Sequence, residues 1–475
     1  MITSDRNPKV AAALRLHKRA FRERDRAFLV EGLGAVEEAL TRPGGVTTLF
    51  CIDPAHPLVD RAGSSGTDVV HVSEDVMKRL TGTVTPQGLV AVSRFVDVPL
   101  DGLGSDLMCV ALLHAVRDPG NAGTVLRSVD AAGADAVLFS AESVDAYNAK
   151  TVRASAGSLF HVPLVREVDT PAAIETLQAR GVKVLAMDAS AESDLHELDL
   201  TDPVAFVFGN EAWGLPDEIA PLADVGVRIP IAGRAESLNL AAAATVCVFE
   251  WARQQREGRR AVLETLIAAA AHDIRSPLTA MKGFGHSLST RWDRMTPEQR
   301  DLMLRGIVVD ADRMNSIVRQ LVDAARLTAG RLELFPERTD VGDLVRRVAA
   351  SLERNPDHPP VAWDGGEVVA FVDPERLTSV VEAFVESLVW WTSEGPVHVV
   401  ARLERGRLAL EARRHRTDLT QEQADGLFRP RAPGTGAGSK MGLFVALGIA
   451  EAQGGTVAAR VGDSLCFSFE VPAEG

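Results

Sequence analysis

The chain has 475 residues, enough for about three domains, with 46% apolar residues and a formal net charge of −14. That charge argues against a surface coated in nucleic acid along its whole length. The four cysteines, Cys51, Cys109, Cys247 and Cys466, form no CxxC pair, which excludes a zinc ribbon and fits a reducing, cytoplasmic compartment. The N-terminus is polar, and the apolar run Leu240–Phe249 spans ten residues, too short to cross a bilayer.

Residues 1–30 carry eight Lys or Arg against three acids. Charge segregated in this way is expected of a nucleic-acid-binding face, with Lys9, Lys18, Arg19 and Arg22 as contacts. A solvated helix face is the other reading. Residues 34–95 alternate helix and strand: 35–40 helical, 47–52 and 69–72 extended, a helix capped by Ser73, and a strand over 88–95. Pro99, Gly102 and Gly104 then predict a linker.

Residues 105–257 alternate strand and helix, which predicts a mostly parallel sheet covered on both faces. Strands are expected at 107–113, 136–140, 182–187, 204–208 and 227–231, and helices at 122–132, 145–156, 171–180 and 238–257. Three stretches carry chemistry. HAVRDPGNAGTVLRSVDAAG, 114–133, reads as a strand exit, a loop containing Asp118, Pro119, Gly120, Asn121 and Gly123, and a helix bearing Arg127. Loops at strand carboxyl ends are where open α/β sheets hold ligands, and helix starts favour anions. VAFVFGNEAWG, 204–214, is a strand running into Gly209, Glu211 and Gly214. VRIPIAGRAESLN, 227–239, is a strand and a polar turn.

These three segments resemble, in order, the motifs of the SpoU (TrmH-type) RNA ribose 2′-O-methyltransferases of the SPOUT superfamily. The matching residues are Asn121, Gly123 and Arg127, then Gly209, Glu211 and Gly214, then Ile229, Pro230, Ser237, Leu238 and Asn239. The resemblance implies a trefoil-knotted α/β domain over 105–257 and S-adenosylmethionine as cofactor. It implies cofactor contacts from Gly209, Gly214, Ile229, Gly233 and Leu238. Arg127, Asn121, Glu211 and Asn239 take the catalytic roles, with Asn121, Glu211 and Asn239 fixing Arg127 and the ribose. No metal is needed. Asn7, Pro8, Lys9, Arg22 and Phe28 to Gly32 are similar to the start of the family's substrate-binding domain, so residues 1–97 are expected to be an L30e-like α/β module. The implied substrate is ribosomal rather than transfer RNA, and Arg153 is a further RNA contact or simply part of an amphipathic helix.

Past Gly258-Arg259-Arg260 a second resemblance begins. LIAAAAHDIRSPLTAMKGFGHSL, 266–288, is similar to the phosphoacceptor helix of histidine kinases, with His272 at the acceptor position. Apolar residues including Leu263, Ile267, Ala270 and Ile274, then Leu304, Ile307, Ala311, Met314 and Val318, predict a helical hairpin over 258–332 that pairs into a dimeric bundle. Pro277 predicts a kink. Residues 337–475 resemble an eroded kinase-type ATP-binding α+β sandwich. Ala383 and Ser387 stand where two asparagines are expected, Arg414, Arg416 and Asp418 where an Asp-x-Gly-x-Gly run is expected, and Gly438, Gly442, Gly454 and Gly455 survive. The expectation is a cytoplasmic, homodimeric RNA methyltransferase with an inactive kinase-like module that could engage a signalling partner and no membrane. Its rival is a two-component-type signalling protein in which His272 is phosphorylated and the N-terminal half only binds RNA.

Overall fold

The computed structural model describes residues 1–83, 85–353, 358–428 and 441–473, so Gly438 of the expected glycine-rich run lies outside the described residues. The chain forms two compact units, Met1–Arg256 and Glu257–Gly475. Among the described residues no helix is long and apolar enough to cross a membrane.

The first unit contains two sheets. The smaller has the order Ala27–Glu31, Leu89–Arg94, Val46–Cys51, Asp68–His71, with only the last pair parallel. The larger has the order Leu164–Val168, Ala136–Ser140, Cys109–Leu113, Val204–Phe208, Lys183–Met187, Val225–Arg228, Ser193–Asp194, and all its pairings are parallel. Its central strands are apolar on both faces, as a parallel sheet between helical layers requires. Every residue of Cys109–Leu113 and Val204–Phe208 is buried.

Several expectations need correction. Pro119, Gly120 and Asn121 are not loop residues but the first turn of the helix Pro119–Ala132. The Asp118 carboxylate caps that helix by accepting from the Asn121 N–H at 2.8 Å, and Pro119 occupies the position where no N–H is missed. Gly123 serves packing: a Cβ there would lie 2.4 Å from the Thr151 carbonyl oxygen and 2.5 Å from the Ala154 Cβ. The last long strand is Val225–Arg228, short of the expected 231, because Pro230 has no N–H for a ladder. The strand Leu164–Val168 went unseen, since Arg166 and Glu167 interrupt its apolar pattern and Glu167 has a φ of +56°.

The expected linker is also packed structure. Leu100–Gly102 is a turn of 3₁₀ helix, and Leu103 and Leu107 are buried against the large sheet. A single apolar cluster runs from Phe28 and Leu49 of the small sheet to Cys109 and Phe206 of the large one. Tyr147 joins the two, its ring 3.9 Å from that of Phe95. Its hydroxyl accepts from the Val96 and Asp97 N–H groups and donates to the Asp97 carboxylate at 2.7 Å.

In the second unit, the helices Leu240–Arg291 (from residue 257) and Pro297–Thr328 form the hairpin, the latter opened by a Thr296/Gln299 capping box. The helix continues past residue 257, where the sequence reading ends it, and contains Pro277. Within the single chain Leu266, Ala270, Ile317 and Ala324 are buried, whereas Ile267, Leu304 and Val318 of the expected dimer seam are exposed. The reason is that the hairpin packs on the following sandwich, sharing its apolar cluster. The buried Arg376–Asp323 pair, 2.6 Å apart, ties the two. The sandwich has a five-stranded sheet in the order Val361–Trp363, Glu394–Glu404, Arg407–His415, Ser464–Pro472, Thr456–Val461. Alternating burial along Arg407–His415 sets one face against the helices Pro374–Trp391 and Met441–Ala452.

Candidate active site

Three carboxyl-end segments of the large sheet converge on one side chain. Asn121 donates from its amide nitrogen to Glu211 Oε1 at 3.1 Å, and its oxygen accepts from Asn239 Nδ2 at 3.1 Å. Glu211 also accepts from the backbone N–H groups of Arg117 and Asp118, at 3.1 and 3.0 Å. Burial alone would raise the Glu211 carboxyl, but these two N–H groups and the Asn121 amide hold it below the ordinary carboxylate range. Glu211 is therefore an ionised anchor at neutral pH. Asn239 turns its oxygen to the Ala241 and Ala242 N–H groups at 3.0 and 3.3 Å, capping the last helix of this unit.

The loop bearing Glu211 is closed by a tight pairing. The Asn210 N–H donates to the Gly214 carbonyl and the Gly214 N–H to the Asn210 carbonyl, both at 2.9 Å. A Cβ on Gly209 would lie 2.2 Å from the Gly214 carbonyl carbon, so only glycine fits beneath that pairing. Gly214 itself sits at φ +71°. Asn210, present in the sequence motif but given no role there, is buried; its amide donates to the Ala115 carbonyl at 2.7 Å and its oxygen accepts from the Ala212 N–H. An Asn directly after the glycine that ends a strand was the available signal. Lys150 was missed too; it pairs with Asp118 at 2.9 Å.

Of the expected cofactor contacts, Gly209 and Gly214 shape the first loop, and Ile229, Gly233 and Leu238 lie on the second, with Leu238 exposed and Gly233 in open space. Trp213 is 64% exposed beside the first loop. Arg127 is a correction. It is exposed on the helix two turns beyond Asn121, and no hydrogen bond or ion pair among the described residues joins it to Asn121, Glu211 or Asn239. Those three fix one another and the loop backbone, not Arg127.

The basic segment also changes character. Arg22 is 4% exposed and its guanidinium is spent on Asp145 and on the Leu16 and His17 carbonyls, so it is a structural clamp and not an RNA contact. Arg19 pairs with Glu167 at 2.8 Å, Lys9 with Asp68, and Arg26 with Asp97. Arg153 pairs with Glu31 at 2.7 Å. Lys18 is exposed without a partner among the described residues. The local charge excess is largely neutralised by acids remote in sequence. His272 is exposed on its helix, with Nδ1 3.2 Å from Asp273.

Comparison with known proteins bears on this arrangement. Residues 108–249 match the SpoU rRNA Methylase family, residues 7–91 the MRM3-like substrate binding domain, and residues 262–330 the His Kinase A (phospho-acceptor) domain. The 23S rRNA (guanosine(2553)-2′-O)-methyltransferase RlmP of Bacillus subtilis (strain 168) is 36% identical over 248 residues, covering 52% of this chain and 97% of that protein. The 23S rRNA (uridine(2479)-2′-O)-methyltransferase of Streptomyces viridochromogenes is 34% identical over 262 residues, covering 52% and 89%. A crystal structure described as an AdoMet-bound rRNA methyltransferase from Sinorhizobium meliloti is 36% identical, covers 53% of this chain and 97% of that one, and has a TM-score of 0.49. With the three motif segments joined through Asn121 and a relative of this identity spanned almost end to end, the chain belongs to the SpoU rRNA methylase family.

Proposed function

We propose that the first unit transfers a methyl group from S-adenosylmethionine to a ribose 2′-hydroxyl of ribosomal RNA. The observation that carries this reading is the Glu211–Asn121–Asn239 chain, which joins Asn121 to residues 90 and 118 positions further along, at the carboxyl edge of a parallel sheet. The residues fit the cofactor. The loop bearing Glu211 and the start of the helix at Asn239 are both tied to Asn121, Leu238 and Trp213 are exposed, and three donors of the protein already hold Glu211. Gly209, Gly214, Ile229, Gly233 and Leu238 would hold it. When bound, it supplies a methyl group activated by a sulfonium.

The protein's part is then positional. Glu211 and Asn121 keep the loops in register, and Asn239 sets the start of the last helix beside them. Arg127 presents a planar fork of N–H donors matched to phosphate oxygens. Exposed on the same helix, it is suited to seat an RNA phosphate and stabilise the oxygen that loses its proton. The trefoil threading of this domain and a homodimer belong to the same reading. The exposed apolar residues Ile267, Leu304, Val308, Val318 and Val322 support the dimer, and a monomer by light scattering at micromolar concentration would remove it. The test of the activity is methyl transfer from labelled S-adenosylmethionine to ribosomal RNA. Wild type labels RNA and Arg127→Ala does not, while cofactor binding persists. Equal labelling by both removes the role given to Arg127.

The second unit is read as a kinase-like module without kinase activity. Arg414, at the place of an adenine-binding carboxylate, is instead tied to the Gly395 and Thr392 carbonyls at 2.9 Å each. Arg416 keeps a φ of +61° where glycine is expected. Ala383 packs directly on Gly442, where a Cβ would come within 2.9 Å. The signalling reading rests on the phosphoacceptor-domain match and the exposed His272.

A further inference from the structure

A cavity of about 750 Å³ lies within the second unit, between the helices Pro297–Thr328 and Pro374–Trp391. That volume suits a small molecule. Its polar wall carries four carboxylates, Asp273, Asp312, Glu382 and Glu386, against two arginines. Glu382 and Glu386 are four residues apart and share one helical face. Burial, with Glu382 alongside, pushes the Glu386 carboxyl up to about 7, so the empty cavity resists a full negative charge there.

Two further acceptors are unused. Gln320 is 5% exposed; its amide nitrogen approaches Ser316 Oγ at 3.4 Å and the Glu386 carboxyl, and its oxygen has no partner among the described residues. His358 Nδ1 lies 2.9 Å from the Pro359 carbonyl and donates to it, and a ring protonated at Nδ1 alone accepts at Nε2. That Nε2 is buried and has no partner among the described residues. A buried acceptor without a donor costs free energy unless something fills the site. Asp273 and Asp312 add carboxylates to the lining, whose cations are Arg313 and Arg319, the latter 3.4 Å from Glu382. Trp390 and Trp391 supply aromatic surface.

We propose that this cavity binds a small organic cation bearing several N–H donors, of the amidine or polyamine class. Its N–H groups meet Gln320 Oε1 and His358 Nε2, its charge meets Glu382 and Glu386, and its body lies on the tryptophans, whose ring faces attract cations. A nucleotide triphosphate is the wrong ligand, because its phosphates would face the two glutamates. The proposal is independent of methyl transfer, since all its residues lie in the second unit.

The test is titration calorimetry of the full chain with agmatine, spermidine and magnesium–ATP in turn. One of the two amines should bind with one-to-one stoichiometry, and magnesium–ATP should not displace it. Glu386→Gln, which keeps the shape, and Gln320→Leu, which removes the free acceptor, should each weaken binding by about tenfold. If either variant fails to melt cooperatively, Trp390→Ala, at an exposed position, carries the same expectation through loss of the aromatic wall. No binding of either amine to wild type, unchanged affinity in the folded variants, or displacement by magnesium–ATP overturns the proposal.

Discussion

Replacing Gly209 by alanine should cost about 3 kcal/mol and weaken the cofactor site with it. The added Cβ would stand 2.2 Å from the Gly214 carbonyl carbon, 2.3 Å from its oxygen and 2.4 Å from the Leu215 nitrogen. These are backbone atoms, so no side chain can rotate away. Relief requires opening the Asn210–Gly214 pairing and its two 2.9 Å hydrogen bonds. Overpacking in a close-packed site costs about 1–3 kcal/mol, and each lost hydrogen bond about 1. In a unit of this size, 1 kcal/mol corresponds to about 2–4 °C in melting temperature, so the first unit should melt roughly 6–12 °C lower. Gly63→Ala is the control: its Cβ meets nothing within 4 Å, and its φ lies outside the left-handed range. It should stay within about 0.5 kcal/mol of wild type. Calorimetry gives both melting temperatures, and titration with S-adenosylmethionine gives both affinities. A Gly209→Ala protein that melts with wild type and binds the cofactor equally well refutes the reasoning.

Arg22→Ala should destabilise the first unit by about 3 kcal/mol, because the buried Asp145 carboxylate loses its close partner and keeps only Arg166, 3.7 Å away; urea unfolding with a loss under about 1 kcal/mol would contradict the clamp. Lys18→Ala should leave stability intact and flatten the salt dependence of RNA binding by about one unit, and an unchanged slope would remove Lys18 from the RNA face. His161 lies 2.9 Å from both Glu38 and Asp130, and these hydrogen bonds, Glu38 first, raise its pKa. Its stabilisation is therefore complete below the unfolded value of about 6.5 and lost as pH rises through the folded value. Unfolding at stepped pH should show His161→Gln losing less stability than wild type across that window, and parallel curves would exclude the contribution. Incubation with magnesium and ATP should place no acid-labile phosphate on His272; label on wild type that His272→Gln lacks would favour the signalling reading.

Much of the large sheet was legible, because its central strands are uninterrupted apolar runs between turn residues. Strands 136–140 and 204–208 match residue for residue. The three motif segments were legible as local patterns, but their junction was not: Asn121 meets Glu211 and Asn239 through hydrogen bonds spanning 90 and 118 residues. The same distance in sequence hid the partners of the N-terminal cations. Arg22 reads as a surface charge until Asp145 is folded against it, and Arg19 until Glu167 is. In the hairpin, periodicity gave the helices and Ala270 of the buried face, but not Leu266, Ile317 or Ala324. Leu266 and Ala270 face the sandwich of their own unit, and no spacing rule records which neighbour a helix will find.

The central claim is that this chain methylates a ribose in ribosomal RNA. It is tested most directly by mapping 2′-O-methylated nucleotides in total RNA from cells with the gene intact, deleted, and restored as wild type or as Arg127→Ala. The account predicts one ribosomal position that loses its methyl group on deletion, regains it with wild type, and does not regain it with Arg127→Ala. An unchanged map after deletion, or a lost mark confined to transfer RNA, would contradict it.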